Sequence, residues 1–272
     1  MPTPLLYETH CHTPLCKHAF GEPAEYAAAA LARGLKGIVF TDHCPLPDGV
    51  SSHVRMAPEE FDRYVAMIAQ TREAYAGRLD VRLGLESDYY PGVEPWLERL
   101  HAQEPLNHVL GSVHPQVPDY RARYFNGNAF DYQVTYFDHL ARSAETGLYD
   151  TLAHPDLIKN EFPTEWIFAR IQPYIERALD RIAATGVAME LNTSGVNKAL
   201  PEINPSPTML TMIRARGIPV VIGADAHRPT RVADGYVSAL QTLQSVGFTE
   251  VSHFLDRKRQ TTPIVDALAS LA

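Results

Sequence analysis

Seven short runs of apolar or β-branched residues punctuate this chain, near 5–10, 37–42, 81–86, 108–113, 149–153, 187–192 and 218–224. Between them lie stretches with helical periodicity or helix-forming composition, at 23–33, 58–76, 94–103, 130–146, 164–185 and 206–216. Short strands alternating with helices read as repeated βα units around a parallel sheet. Pro23, Pro58 and Pro207 sit where a first-turn proline is tolerated, and Ser206 is placed as an N-cap before Pro207. Gly34, Gly147, Gly186 and Gly217 stop helices just before the next strand. Beyond the seventh run, further helical segments are predicted at 235–246, 250–259 and 262–271, packed on the outside. Loops 44–57 and 114–129 are long for βα connections and are candidates for substrate contact. The expected architecture is α/β: one closed domain over residues 1–272 with seven βα units.

The polar residues that end these runs sharpen the picture. They are His10 and His12 in YETHCH, His43 in GIVFTDH, Glu86 in VRLGLES, His114 in VLGSVH, His154 in TLAHP, and Asp225 with His227 in VVIGADAH. His18 follows in the loop after the first run. Residues i and i+2 of a strand point to one face, so His10 and His12 can address a single metal while Cys11 turns outward as a small hydrophobe. A glutamate after an apolar strand is costly to bury unless it is paired or metal-bound. Six strands ending in imidazole or carboxylate, the N/O ligands of Zn, Fe and Mn, point to a metal site at the carboxyl rim of a barrel. His101, His108, His139 and His253 fall on helices or at the wrong strand end and read as structural. His53 lies in loop 44–57, within reach of a substrate.

Composition narrows the function classes. A net charge of −8 and pI near 5.8 argue against a nucleic-acid surface, which needs a basic face. Three cysteines, Cys11, Cys16 and Cys44, form no disulfide framework and suit a reduced, cytoplasmic chain. No signal-like opening and no run of 18 apolar residues occur, so no membrane association is expected. The sequence leaves the oligomeric state open.

The ordered set HxH, TDH, GxE, SxH, AHPD and DAH resembles the polymerase-and-histidinol-phosphatase (PHP) metallohydrolases over essentially the whole chain. SVHP, AHPDLIK, the NTSG segment at 192–195 and DAHRP look like the histidinol-phosphate phosphatases within that family. The resemblance implies a distorted (β/α)7 barrel with three divalent metal ions (Zn, Fe or Mn). His10, His12, Glu86 and Asp225 would hold the first. Glu86 would bridge to a second held also by His114 and His154. His18, His43 and His227 would hold the third.

The implied reaction is hydrolysis of histidinol phosphate, a small phosphate ester, by a metal-activated hydroxide attacking phosphorus. Glu86, Asp42 and His227 are the catalytic candidates. Asp42 has two readings: proton donor to the leaving alkoxide, or orienting partner of an imidazole N–H. Lys159, Lys198 and Arg228, after strands five, six and seven, are candidates for phosphate binding. Asn197 occupies a position where histidinol phosphatases tend to carry an arginine, and is a further contact candidate. Two other functions compete: a 3′–5′ exonuclease-like phosphodiesterase, which lacks the expected basic stripe here, and a degenerate binding scaffold, which predicts lost ligands.

Overall fold

A computed structural model describes residues 3–271. Seven parallel strands run in sequence order: β1 (Tyr7–Glu8), β2 (Gly37–Phe40), β3 (Asp80–Asp88), β4 (His108–Ser112), β5 (Thr151–Leu152), β6 (Ala188–Asn192) and β7 (Val220–Gly223). Just beyond them the chain closes on itself. Ala226 N donates to His10 O at 3.0 Å, and His12 N donates to Ala226 O at 3.0 Å. The result is the distorted (β/α)7 barrel expected from the sequence, joined at its carboxyl rim by the segments that carry His10, His12 and Asp225.

The helices are α1 (Pro23–Ala32), α2 (Phe61–Ala74), α3 (Glu94–His101), α4 (Pro118–Tyr124), α5 (Ala129–Glu145), α6 (Phe168–Ala183), α7 (Pro207–Ala215), α8 (Tyr236–Val246) and α9 (Ile264–Ser270). Their ends follow local rules. Ser206 Oγ accepts from Met209 N at 3.3 Å ahead of Pro207, and Glu25 accepts from Glu22 N at the start of α1. Gly147, Gly186 and Gly217 leave the helices with φ of 66–77°, a left-handed turn that only glycine adopts without strain. On α6, Ile171, Ile175, Ala178, Leu179 and Ile182 recur every three or four residues and are buried. Helix α4, within the long loop 114–129, was not foreseen from the sequence.

One expected helix is absent. Residues 250–259 belong instead to a hairpin of β8 (Glu250–Leu255) and β9 (Lys258–Pro263). β8 joins β7 at Val221–Ser252, and the hairpin crosses the amino-terminal end of the barrel. There Phe254 packs with Ala188 and Val221 and stacks on His108, with ring centroids 5.2 Å apart. The turn docks through Arg257 N on Asn107 O at 3.0 Å and the Arg257 guanidinium on Asp150. Asp256 and Arg257 both have positive φ, at 51° and 61°, so this tight turn lacks the Asn-Gly signal that marks such hairpins. Among the described residues, no helix is long and apolar enough to cross a membrane.

Candidate metal centre

The strand ends converge on Glu86. It lies in β3 with 1% of its surface exposed, and five imidazoles reach its two oxygens. Oε1 faces His154 Nε2 at 2.9 Å and His114 Nε2 at 3.3 Å, and accepts from the Ser112 hydroxyl. Oε2 faces His43 Nδ1 at 2.8 Å, His10 Nε2 at 3.4 Å and His12 Nε2 at 3.6 Å. Asp225 completes the ring from β7: its Oδ1 lies 3.3 Å from His12 Nε2 and 3.7 Å from His10 Nε2. His227 stacks on His12 at 3.9 Å between centroids, and the exposed His18 stacks on His227 at 4.5 Å. All nine expected ligands therefore meet at one place. His154 and Asp225 hold positive φ, at 30° and 50°, a strained backbone of the kind that gathers at functional sites.

The donor set suits divalent cations. His10 Nε2, His12 Nε2, His227 Nε2 and Glu86 Oε2 are buried and, despite their close neighbours, make no aligned hydrogen bond. Leaving such an atom unpaired costs about 1–3 kcal/mol, so four together imply something they bind. Ligand atoms of His10, His12 and Glu86 lie within 4.8 Å of one another, as do those of His43, Glu86 and His114, and of His12, His43 and His227. Electrostatics agree. Burial pushes the Glu86 carboxyl up, but His43, His10 and His114 hold it well below the carboxylate range. Burial pushes His114 down, yet Asp88 and Glu86 bring it up to about 10. His43, where burial dominates, falls to about 4.

A carboxylate stands behind three of the imidazoles. Glu190 Oε1 is 2.7 Å from His10 Nδ1, Asp42 Oδ1 is 3.3 Å from His12 Nδ1, and Asp88 Oδ2 is 3.0 Å from His114 Nδ1. The first two are hydrogen bonds that fix the tautomer presenting Nε2 to a metal, whereas Asp88 meets His114 as a close ion-pair contact outside hydrogen-bond alignment. For Asp42 this bears on its two readings. It is fully buried, with Oδ2 accepting from Thr13 N at 3.2 Å and Oδ1 accepting from His43 N at 2.8 Å. It lies beside His12 and is not among the residues lining the cavity above the cluster, a placement that favours the orienting reading over the proton-donor one. Glu8 acts further back: its carboxylate accepts from His10 N at 3.0 Å, Ala224 N at 3.0 Å and Ala233 N at 2.6 Å, tying together the backbones that carry His10 and Asp225.

Above the cluster opens a cavity of about 670 Å³. Lys198, Asn197, Arg228, Ser194 and His53 line it, as does Arg231, which the sequence did not single out. Lys159 does not. It is fully buried, with Nζ at 2.9 Å from Asp156 Oδ2, 3.1 Å from Glu202 Oε2 and 2.9 Å from Ile203 O. The lysine expected to bind phosphate instead bonds the loop after β5 to residues 202–203.

The description of the PHP domain matches residues 8–194, well over half of the chain. The chain belongs to this family. A Deinococcus radiodurans protein named "Probable histidinol-phosphatase" is 38% identical, with 94% of this chain and 98% of that protein aligned. The Bacillus subtilis histidinol-phosphatase is 27% identical over 85% of this chain and 97% of its own length. A solved histidinol phosphate phosphatase from Lactococcus lactis, complexed with zinc, L-histidinol and phosphate, shares the fold, with a TM-score of 0.76. It is 20% identical, covering 93% of this chain and 98% of that one.

In this PHP chain, several site residues escaped the sequence reading. Glu190 carried a usable signal, because a glutamate inside AMELN on β6 meets the same burial argument as Glu86. Asp88 sits two residues beyond Glu86 and so shares its face. Cys16 places its sulfur within 4.8 Å of ligand atoms of His18 and His227, and of His12 and Asp42, but its loop offers no periodicity to reveal this. Arg231 lies in a turn and has no pattern at all.

Proposed function

We propose that this protein is a metal-dependent phosphomonoesterase that hydrolyses histidinol phosphate to histidinol and phosphate, as a cytoplasmic enzyme of histidine biosynthesis. The observation that carries the chemistry is Glu86, a buried carboxylate ringed by five imidazoles. The full-length likeness to proteins named histidinol-phosphatase supports the choice of ester.

In this reading the cluster holds three divalent ions, Zn, Fe or Mn. His10, His12, Glu86 and Asp225 would hold one, Glu86, His114 and His154 a second, and His18, His43 and His227 a third. When bound, such ions lower the pKa of a water towards about 7 and neutralise phosphate oxygens. The chain's own residues do the rest. Lys198, Arg228 and Arg231 present positive charge to the dianion from the wall built by the segments after β6 and β7. Asn197 Nδ2 donates to Ser194 O at 3.2 Å and shapes that wall rather than neutralising charge. Glu190, Asp42 and Asp88 hold three imidazoles in place. With Asp42 buried behind His12, the proton for the leaving alkoxide comes from a group that lines the cavity.

The test is phosphate release from histidinol phosphate, other phosphomonoesters and a dinucleotide, with Mn or Zn supplied. Histidinol phosphate should have the highest kcat/KM. Preference for the dinucleotide would establish a phosphodiesterase instead, and no turnover with either metal would defeat the reading.

A further inference from the structure

Each carboxylate behind an imidazole of the centre must itself be satisfied, and the three are satisfied differently. Glu190 Oε2 accepts from His154 N at 2.8 Å and from the Asn192 amide at 3.0 Å. Asp42 accepts from Thr13 and from His43 N. Both use their own barrel surroundings. Asp88 is held by a guanidinium that arrives from a rim loop. Arg55, in loop 44–57, donates from Nη2 to Asp88 Oδ2 at 2.7 Å and from Nη1 to Asp88 Oδ1 at 3.2 Å. Nη1 also donates to Cys44 O at 3.0 Å. This arginine is 1% exposed. Burying a guanidinium costs several kcal/mol unless it is paired, and a planar bidentate pair with a carboxylate is the arrangement that offsets it.

The contacts continue inward without a gap. Asp88 Oδ2 stands 3.0 Å from His114 Nδ1, and His114 Nε2 stands 3.3 Å from Glu86 Oε1. Asp88 and Glu86 share one face of β3, so strand geometry sets their spacing while Arg55 sets the rotation of Asp88. Arg55 also borders the main cavity beside His43 and His114, but its Nε is buried and reaches no solvent. Both of its Nη atoms are already taken up by Asp88 and Cys44 O.

We infer that Arg55 is a positioning residue: through Asp88 it fixes the His114 imidazole with Nε2 turned to Glu86, and so makes the order of rim loop 44–57 a condition for a complete metal centre. The inference rests on the reading of the Glu86 cluster as a metal site. An acceptor on Asp88 that is free to rotate would let His114 swing and present the wrong nitrogen. Replacing such an outer partner typically weakens metal affinity or activity by about 10–100-fold.

The experiment loads wild-type protein, Arg55→Gln and Arg55→Lys with Co²⁺. It follows the visible Co²⁺ spectrum, retention of the ion against a chelator, and kcat and KM for phosphomonoester hydrolysis. Arg55→Gln should alter the spectrum, lose retention and kcat by about 10–100-fold, and leave KM nearly unchanged. Arg55→Lys, which keeps the charge but not the fork, should fall between. Wild-type spectrum, retention and kcat in folded Arg55→Gln would overturn the inference, as would a raised KM with unchanged kcat, which would mean direct contact with substrate. If Arg55→Gln does not fold, Asp88→Asn serves: it should show the same loss of Co²⁺, and a wild-type spectrum with wild-type retention there sinks the proposal. A wild-type enzyme inactive on histidinol phosphate, beside an Arg55→Gln that still loses Co²⁺, would refute the substrate and leave the positioning role standing.

Discussion

At the scale of single residues, Glu86 is the position on which the others depend. Its carboxylate meets imidazoles from four different strand ends, so Glu86→Gln should abolish most activity and most bound metal together while the barrel stays folded. Turnover at the wild-type rate with full metal content would disprove its bridging role. The basic residues divide into two kinds, and although Lys198 is the stronger phosphate candidate from sequence, nothing there shows where Lys159 goes. Lys159 and Lys198 both follow a strand and both read as phosphate contacts. Burial tells them apart: Lys159 is fully buried between Asp156 and Glu202, whereas Lys198 borders the cavity. Lys159→Met should destabilise by about 3–5 kcal/mol, because Asp156 is left as an unpaired buried charge. Its KM should hardly move. Lys198→Ala should do the reverse, raising KM about tenfold for roughly 1.4 kcal/mol of lost binding, with an unaltered melting temperature. Thermal melts and steady-state kinetics on the two variants check both halves.

At the scale of elements, the seven barrel strands were legible because each is a short apolar run between helix signals. Their polar last residues were legible because buried charge needs a partner. The β8–β9 hairpin was not. Its turn places Asp256 and Arg257 in a left-handed conformation that neither residue type advertises, and β9 reads KRQTTP, an exposed polar edge. Such an edge resists pairing with other chains, and only pairing with β8, itself seated on the barrel floor, makes it a strand. Phe254 is the anchor of that contact, stacked on His108 and packed on Ala188 and Val221. Phe254→Ala should cost about 3–5 kcal/mol in denaturant unfolding. Activity per folded molecule should survive, since the anchor lies at the opposite end of the barrel from Glu86. A full-strength variant in urea would show that the hairpin is only draped over the floor.

At the scale of the whole molecule, stability is tied to pH through histidines that lie outside the metal centre. Burial lowers His108 to about 3, and His101 and His253 to about 4. In the unfolded chain the same imidazoles titrate near about 6.5. Below that pH the unfolded state takes up protons that the folded state refuses, so stability present above pH ~6.5 drains away as pH falls towards the folded values. The melting temperature should drop between pH 7 and pH 5, and His108→Gln should flatten the dependence by about one proton. An unchanged slope in that variant would mean His108 titrates alike in both states. The sequence by itself determined the βα alternation, the identity of the nine converging side chains and the acidic character of the chain. Each of these follows from local periodicity or from the cost of burying charge. Tertiary structure alone decided which carboxylate stands behind which imidazole, that Asp42 is buried beside His12, that Lys159 is locked in an ion pair, and that the tail forms a hairpin under the barrel. Those outcomes depend on distances between residues far apart in the chain, which no one-dimensional pattern encodes.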